Sequence, residues 1–163
     1  MKSNKLFFVV IITFFSYFTA NAGTTDLGDN WCSGVKIHFF AGGAEGDGFA
    51  GIVQAGAENA IRDTGADAQI LYSDWDLTTM IQQLKESIEA RVDGIAMVGH
   101  PGNEDIMLLA EKAHKAGILM MYYSVDVPEV RAKYGGGYVG VNLATQGEQL
   151  AHEAIRRFKL KAR

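Results

Sequence analysis

The sequence contains one cysteine, Cys32, and two prolines among 163 residues. A lone cysteine closes no disulfide within the chain and has no partner at zinc-ligand spacing. An excess of basic charge is also missing: 15 Lys and Arg stand against 19 Asp and Glu, a formal net charge of −4. Nucleic-acid binding rests on clustered Lys and Arg that neutralise phosphates, so no nucleic-acid partner is expected. There is no G-x-S-x-G elbow. No two histidines share a helix at metal-ligand spacing. His38, His100, His114 and His152 are scattered, with His114 and His152 on expected helices facing solvent. No nucleophile stands beside a base, so the sequence assigns no catalytic residue, and neither a metal nor a cofactor is expected.

Glycine, by contrast, is plentiful, with 19 residues, and 48% of the chain is hydrophobic. That combination suits a folded domain with many tight turns. The first residues differ in kind from the rest. Lys2 and Lys5 precede the apolar run Leu6 to Phe18, and Ala20-Asn21-Ala22 follows. A basic start, a short apolar core and small residues at A-x-A form a secretory signal, cleaved near Ala22. A membrane-spanning helix needs about 20 apolar residues, and this run is shorter. The mature chain is therefore expected in the periplasm without a membrane span.

After a polar lead, residues 23–34, the pattern alternates between strand and helix. Val35 to Ala41 reads as a strand and Gly42 to Gly48 as a glycine-rich turn. Phe49, Ile52, Val53, Gly56, Ala57, Ala60 and Ile61 recur at helical spacing up to Gly65. Ala68 to Tyr72 is a second strand. Asp76 caps a helix whose inner face is Leu77, Met80, Ile81, Leu84 and Ile88. Gly94 to Val98 is a third strand. Asn103 is expected to cap the next helix, which runs from acidic Glu104 and Asp105 to basic Lys112, His114 and Lys115, as the helix dipole favours. Ile118 to Tyr123 and Tyr138 to Val141 read as further strands, and Thr145 to Phe158 as a last helix. Strands alternating with helices imply parallel pairing, and continuous apolar strands imply cover on both faces. The fold class is α/β, a doubly wound parallel sheet.

In such sheets ligands sit outside the carboxyl ends of the strands, which selects the loops to read. The first, Ala41 to Phe49, has glycines but no phosphate-binding register. Glu45 and Asp47 would repel a phosphate, whereas they could accept hydroxyl groups or simply complement the helix N-terminus. Phe49 adds an aromatic ring. The second loop places Trp75 between Asp74 and Asp76. An indole suits the apolar face of a sugar and carboxylates suit its hydroxyl edge, although Trp75 could equally pack over the sheet. The third loop offers His100. The fourth, Ser124 to Pro128, offers Ser124 and Asp126, residues that plain turn chemistry also favours.

These segments resemble the periplasmic sugar-binding proteins of ABC transporters, the type I solute receptors related to ribose- and galactose-binding proteins. The resemblance is carried by Lys36 to Phe40 leading to Gly56-Ala57-Glu58, and by Met80-Ile81-Gln82-Gln83-Leu84 leading to Val92-Asp93-Gly94-Ile95-Ala96-Met97. It continues through Ala113-His114-Lys115-Ala116-Gly117-Ile118 and Tyr138-Val139-Gly140-Val141-Asn142. It implies a receptor that closes two lobes about a hinge on a small solute and then docks on a membrane permease. Residues 35–142 would form the first lobe, Asn142 would lie at the hinge crossover, and residues 143–163 would begin a second lobe that the chain does not complete. The resemblance also implies solute contacts from Glu45, Asp47 and Phe49 and from Ser124 and Asp126. Two departures stand out. The first loop has Asp47-Gly48-Phe49-Ala50 in place of an Asn-Pro-aromatic-aromatic run, and no Arg directly follows Asp126, so the bidentate donor of an Asp-Arg pair is expected to be missing. A signalling receptor for a sugar-like ligand, or a periplasmic α/β enzyme, are the alternative readings.

Overall fold

The computed structural model describes residues 30–160. The signal sequence, its cleavage site and most of the polar lead lie outside the described residues.

Five short strands and five helices alternate along the chain: β1 Lys36–Phe40, α1 Gly48–Thr64, β2 Asp67–Leu71, α2 Leu77–Glu89, β3 Gly94–Val98, α3 Gly102–Lys115, β4 Leu119–Tyr123, α4 Pro128–Tyr134, β5 Gly137–Val139 and α5 Leu143–Phe158. All strands pair in parallel in the order β2-β1-β3-β4-β5. The direction of winding reverses between β1 and β3, so the crevice above their carboxyl ends is the topological switch point.

Local chemistry explains most boundaries. Asp47, Asp76 and Asn142 cap α1, α2 and α5 by accepting the backbone N–H three residues on. Gly65 ends α1 in the left-handed conformation, φ 71°. Three expectations need correction. Asn103 does not cap α3: the helix already begins at Gly102, after a turn closed by Gly102 N–H on the Gly99 carbonyl. The Asn103 side chain instead accepts the Val130 N–H at 3.4 Å, tying α3 to α4. The stretch after Ser124 is not all loop either, because Pro128 starts a seven-residue helix at its first position, where its fixed φ and missing N–H cost nothing. The fifth strand is Gly137–Val139, shorter and earlier than Tyr138 to Val141.

One sheet face carries Phe40, Ile95, Met97, Met120 and Tyr122, all buried against a layer that includes Met80 and Leu84 of α2, Ile106, Leu109 and Ala110 of α3 and Val130 of α4. Right-handed crossovers to β3, β4 and β5 all move the same way along the sheet, which puts α2, α3 and α4 on that one face. The opposite face has α1 alone. There Ile37, Phe39, Ala96, Met121, Tyr123 and Val139 line an apolar cavity of about 440 Å³ beside α1. α5 buries none of its residues: Leu150 is 70% and Phe158 74% exposed.

Candidate functional site

The loops at the carboxyl edge are laced together by hydrogen bonds. Ser73, Asp74 and Trp75 donate their N–H groups to the carbonyls of Gly43, Gly43 and Gly42 at 3.2, 3.2 and 2.9 Å. The buried Ser73 hydroxyl adds a 2.6 Å bond to the Gly42 carbonyl. Gly99 N–H reaches the Val125 carbonyl at 3.1 Å and Ser124 N–H the Val139 carbonyl at 3.0 Å. The approach at Gly99 is so close that a β-carbon there would overlap the Val125 carbonyl oxygen. The backbone at the edge is also held in unusual conformations. Asp74, Trp75 and Ser124 have φ of 48°, 58° and 61°, the left-handed region that non-glycine residues enter at a cost and that clusters at functional sites.

Three of the sequence-selected residues converge above the switch point. The Trp75 ring lies 5.3 Å from Phe49, tilted by 54°, and 5.4 Å from His100, edge-on at 73°. The first turn of α1 and two separate loops thus build one aromatic cluster. Trp75 is part-buried and packs on the core, while Phe49 and His100 are exposed. Trp75 thus packs over the sheet edge, as one of the two alternatives had it, and is only part-buried there. Glu45 and Asp74 stand exposed in the same two loops. Asp47 is engaged differently. Its Oδ1 accepts the Ala50 N–H at 2.5 Å and its Oδ2 the Ala44 N–H at 3.2 Å, so its carboxylate serves the helix start that carries Phe49.

Ser124 and Asp126 fall in a second group, above β4 and β5. Here the structure supplies a cation that sequence reasoning missed. Arg131, in the last turn of α4, donates Nε to Asp126 Oδ1 at 2.7 Å and Nη2 to Oδ2 at 2.9 Å. No Arg directly follows Asp126, but a guanidinium from five residues further on meets its carboxylate in a bidentate pair. Its signal was Pro128 as a helix start, which would have brought Arg131 back beside the loop. The Arg131 hydrogen bonds hold the Asp126 carboxyl below the usual carboxylate range, against the opposing effect of burial. The guanidinium also lies 5.8 Å from the centre of the Tyr138 ring. The Tyr138 hydroxyl lies 2.8 Å from the Ser124 carbonyl and 3.0 Å from that of Val141. Asn142 spends its side chain on the α5 cap, accepting from Thr145 N–H at 3.0 Å.

The large apolar cavity beside α1 is a different feature. It lies on the sheet face, not at the carboxyl edge, and its lining is largely hydrocarbon, which offers sugar hydroxyls few partners. Among the described residues no three His, Cys, Asp or Glu side chains gather as a metal site, and no helix is long and apolar enough to cross a membrane.

A family model described as a periplasmic binding protein domain matches residues 38–162. The chain belongs to the periplasmic binding protein family. Solved structures show the same fold at low identity. A periplasmic sugar-binding protein of an ABC sugar transporter from Legionella pneumophila matches with TM-score 0.67 and 19% identity, over 74% of this chain and 44% of that one. A Mycobacterium smegmatis protein in complex with beta-D-fucofuranose matches with TM-score 0.65 and 15% identity, over 77% and 40%. The periplasmic component of the arabinose ABC transporter from Shewanella sp. ANA-3, bound to alpha- and beta-L-arabinofuranose, matches with TM-score 0.61 and 13% identity, over 76% and 40%. The chain thus spans less than half the length of these solved proteins. No curated protein matches it.

Proposed function

We propose that this periplasmic binding protein domain is the first lobe of an exported receptor for a small sugar, which hands its solute to the permease of an ABC transporter. The observation that carries the reading is the cluster of Phe49, Trp75 and His100 at the switch point, flanked by the exposed carboxylates Glu45 and Asp74. Aromatic faces stack on the C–H face of a sugar ring, and carboxylates accept its hydroxyls. Ser124 and Asp126 add acceptors above β4. Asp47 contributes by capping the helix that presents Phe49. In this reading residues 35–142 form the lobe, Asn142 lies at the crossover and residues 143–163 lead towards a second lobe that closes the cleft by hinge motion. The Mycobacterium smegmatis and Shewanella neighbours were solved with furanoses bound, which directs attention to sugars that populate the five-membered ring.

The test is a ¹H–¹⁵N NMR titration of the chain with arabinose, fucose, galactose, ribose and inositol, with amino acids as controls. One lobe supplies half of a cleft, so millimolar, fast-exchange shifts are expected. They should centre on Phe49, Trp75 and His100 and vanish in Trp75→Ala. Shifts with amino acids alone, or none with any sugar, would overturn the reading.

A further inference from the structure

The two faces of the sheet are covered unequally. Under α2, α3 and α4, Phe40, Ile95, Met97, Met120 and Tyr122 are buried. On the other face Phe39, Ala96, Met121 and Tyr123 are only part-buried, and Val139 is 68% exposed. There α1 leaves the apolar groove of about 440 Å³ open. Its floor is already set: Phe39 and Tyr123 stack at 5.4 Å, within 6° of parallel, across β3, where Ala96 leaves room for both rings. The α1 wall is made of small residues. Nothing lies within 4 Å of where a β-carbon on Gly56 would sit, and Ala60, one turn on, is exposed. A second helix can approach closely along such a wall.

The helix α5 has the converse shape. Leu143, Leu150, Ile155 and Phe158 are all exposed and share one side of it. Its 16 residues match the 17 of α1 in length, about 25 Å each. The structure holds α5 away from the groove of its own chain. Only Gly140, Val141 and Asn142 separate it from β5, and this exit is pinned. The Tyr138 hydroxyl lies 2.8 Å from the Ser124 carbonyl and 3.0 Å from that of Val141. A β-carbon on Gly140 would lie 2.2 Å from that hydroxyl, and Asn142 is committed to the cap on Thr145.

The sizes of the two surfaces suit a pair of chains. Four large apolar side chains present roughly 400 Å² per helix. Burying that strip and an equal area of groove, twice over, amounts to roughly 1,600 Å², the size of a standard stable interface. Charge agrees in sign. The α1 wall carries exposed Glu58 and Asp63 against Arg62 alone. At the end of α5, Arg156 and Arg157 share the single carboxylate of Glu153.

We propose that two copies of this chain pair by reciprocal exchange of α5, the apolar strip of each helix lying in the groove beside α1 of the other. A contact between strip and groove, made twice about a two-fold axis, closes as a dimer and not as a filament. The pairing uses none of Phe49, Trp75 and His100 and is independent of the solute. Lost freedom on association keeps the pair weak: the dilute chain is the monomer with α5 exposed, and the dimer forms as concentration rises.

The test is sedimentation velocity of the chain from low to high micromolar concentration, where the mass is expected to rise from one chain to two. Leu150→Lys with Phe158→Lys removes the strip. Gly56→Glu with Ala60→Lys blocks the groove by placing an i,i+4 ion pair on the open wall, which also suits the helix. Each double variant should keep the circular dichroism of the dilute wild type and self-associate at least roughly tenfold more weakly, the scale set by losing a few buried side chains. Mixed, the two variants complement each other, since one retains a groove and the other a strip. The Met121 methyl signal of the labelled strip variant should shift on adding the unlabelled groove variant, and not on adding more strip variant. If either variant fails to fold, NOEs between Met121 of a labelled wild-type chain and Phe158 of an unlabelled one decide the same point. A wild type that stays monomeric overturns the proposal, and its partition onto phosphatidylglycerol vesicles would assign the strip to a lipid surface instead. Masses beyond two chains overturn it too. So does a dimer that survives in the folded groove variant, as a strip-to-strip pair would, and so does an unshifted Met121 in the mixture.

Discussion

A methyl group on Gly42 would lie 2.8 Å from Cζ3 of Trp75. The indole occupies the space a side chain at position 42 would need, and φ of 86° at Gly42 disfavours any other residue there. Gly42→Ala is therefore expected to destabilise the fold by roughly 2–4 kcal/mol, combining the left-handed backbone with overpacking. Because the ring must move, intrinsic tryptophan fluorescence should shift in the native state. A variant with wild-type fluorescence and an unchanged denaturation midpoint would contradict this packing.

The hydroxyl of Tyr138 joins the exits of β4 and β5 through Ser124 and Val141. Tyr138→Phe keeps the ring beside Arg131 and removes one shared proton. Chemical denaturation should show a loss of about 0.5–1.5 kcal/mol, and amide exchange at residues 139–142 should quicken. The rest of the sheet should exchange as before.

Leu84 on α2 is fully buried, whereas Leu150 on α5 is 70% exposed. The same truncation should have very unequal consequences at the two sites. Leu84→Ala is expected to cost about 2–5 kcal/mol, and Leu150→Ala less than about 0.5 kcal/mol. Leu150→Lys together with Phe158→Lys should instead reduce binding of a hydrophobic dye and self-association, since those side chains form an uncovered apolar strip. Equal melting shifts for the two alanine variants would place α5 in a packed environment the structure does not show.

His38 lies on the face covered by α2, with Nδ1 2.7 Å from the Ser87 hydroxyl. Burial lowers its pKa below the ordinary 6.5, because the charged imidazolium loses solvation. The unfolded chain then binds the proton more readily, so stability is fully present above pH 6.5 and falls as pH drops through the His38 value in the folded state. Thermal midpoints measured from pH 8 to 5 should decline on the acid side. His38→Gln should flatten that part of the profile. Asp126, whose pKa is lowered by Arg131, acts in a separate window: its contribution is lost only as pH falls below the ordinary carboxylate value.

Much of the architecture was legible before any coordinates. Gly94–Val98 is a strand with the bounds the apolar run suggests, Asp76 caps α2, and Gly65 closes α1. These are local decisions, set by side-chain periodicity and by which residues can satisfy a helix end. The α4 helix was not legible, because seven residues are too few for a clear period and Pro128 signals a turn as readily as a helix start. With α4 hidden, Arg131 was hidden too.

The sequence by itself determined the alternation of strands and helices, the parallel sheet, and the set of carboxyl-edge loops in which a ligand site had to be sought. The tertiary structure decided which residues in those loops meet. Phe49, Trp75 and His100 are up to 51 positions apart (100 − 49) and touch only because the strand order reverses between β1 and β3. Asp126 and Arg131 are five positions apart, and their fork exists because the chain turns into α4 at Pro128. Spacing along the chain records what each segment prefers. Contact between segments depends on how the sheet is wound, and no local pattern carries that information.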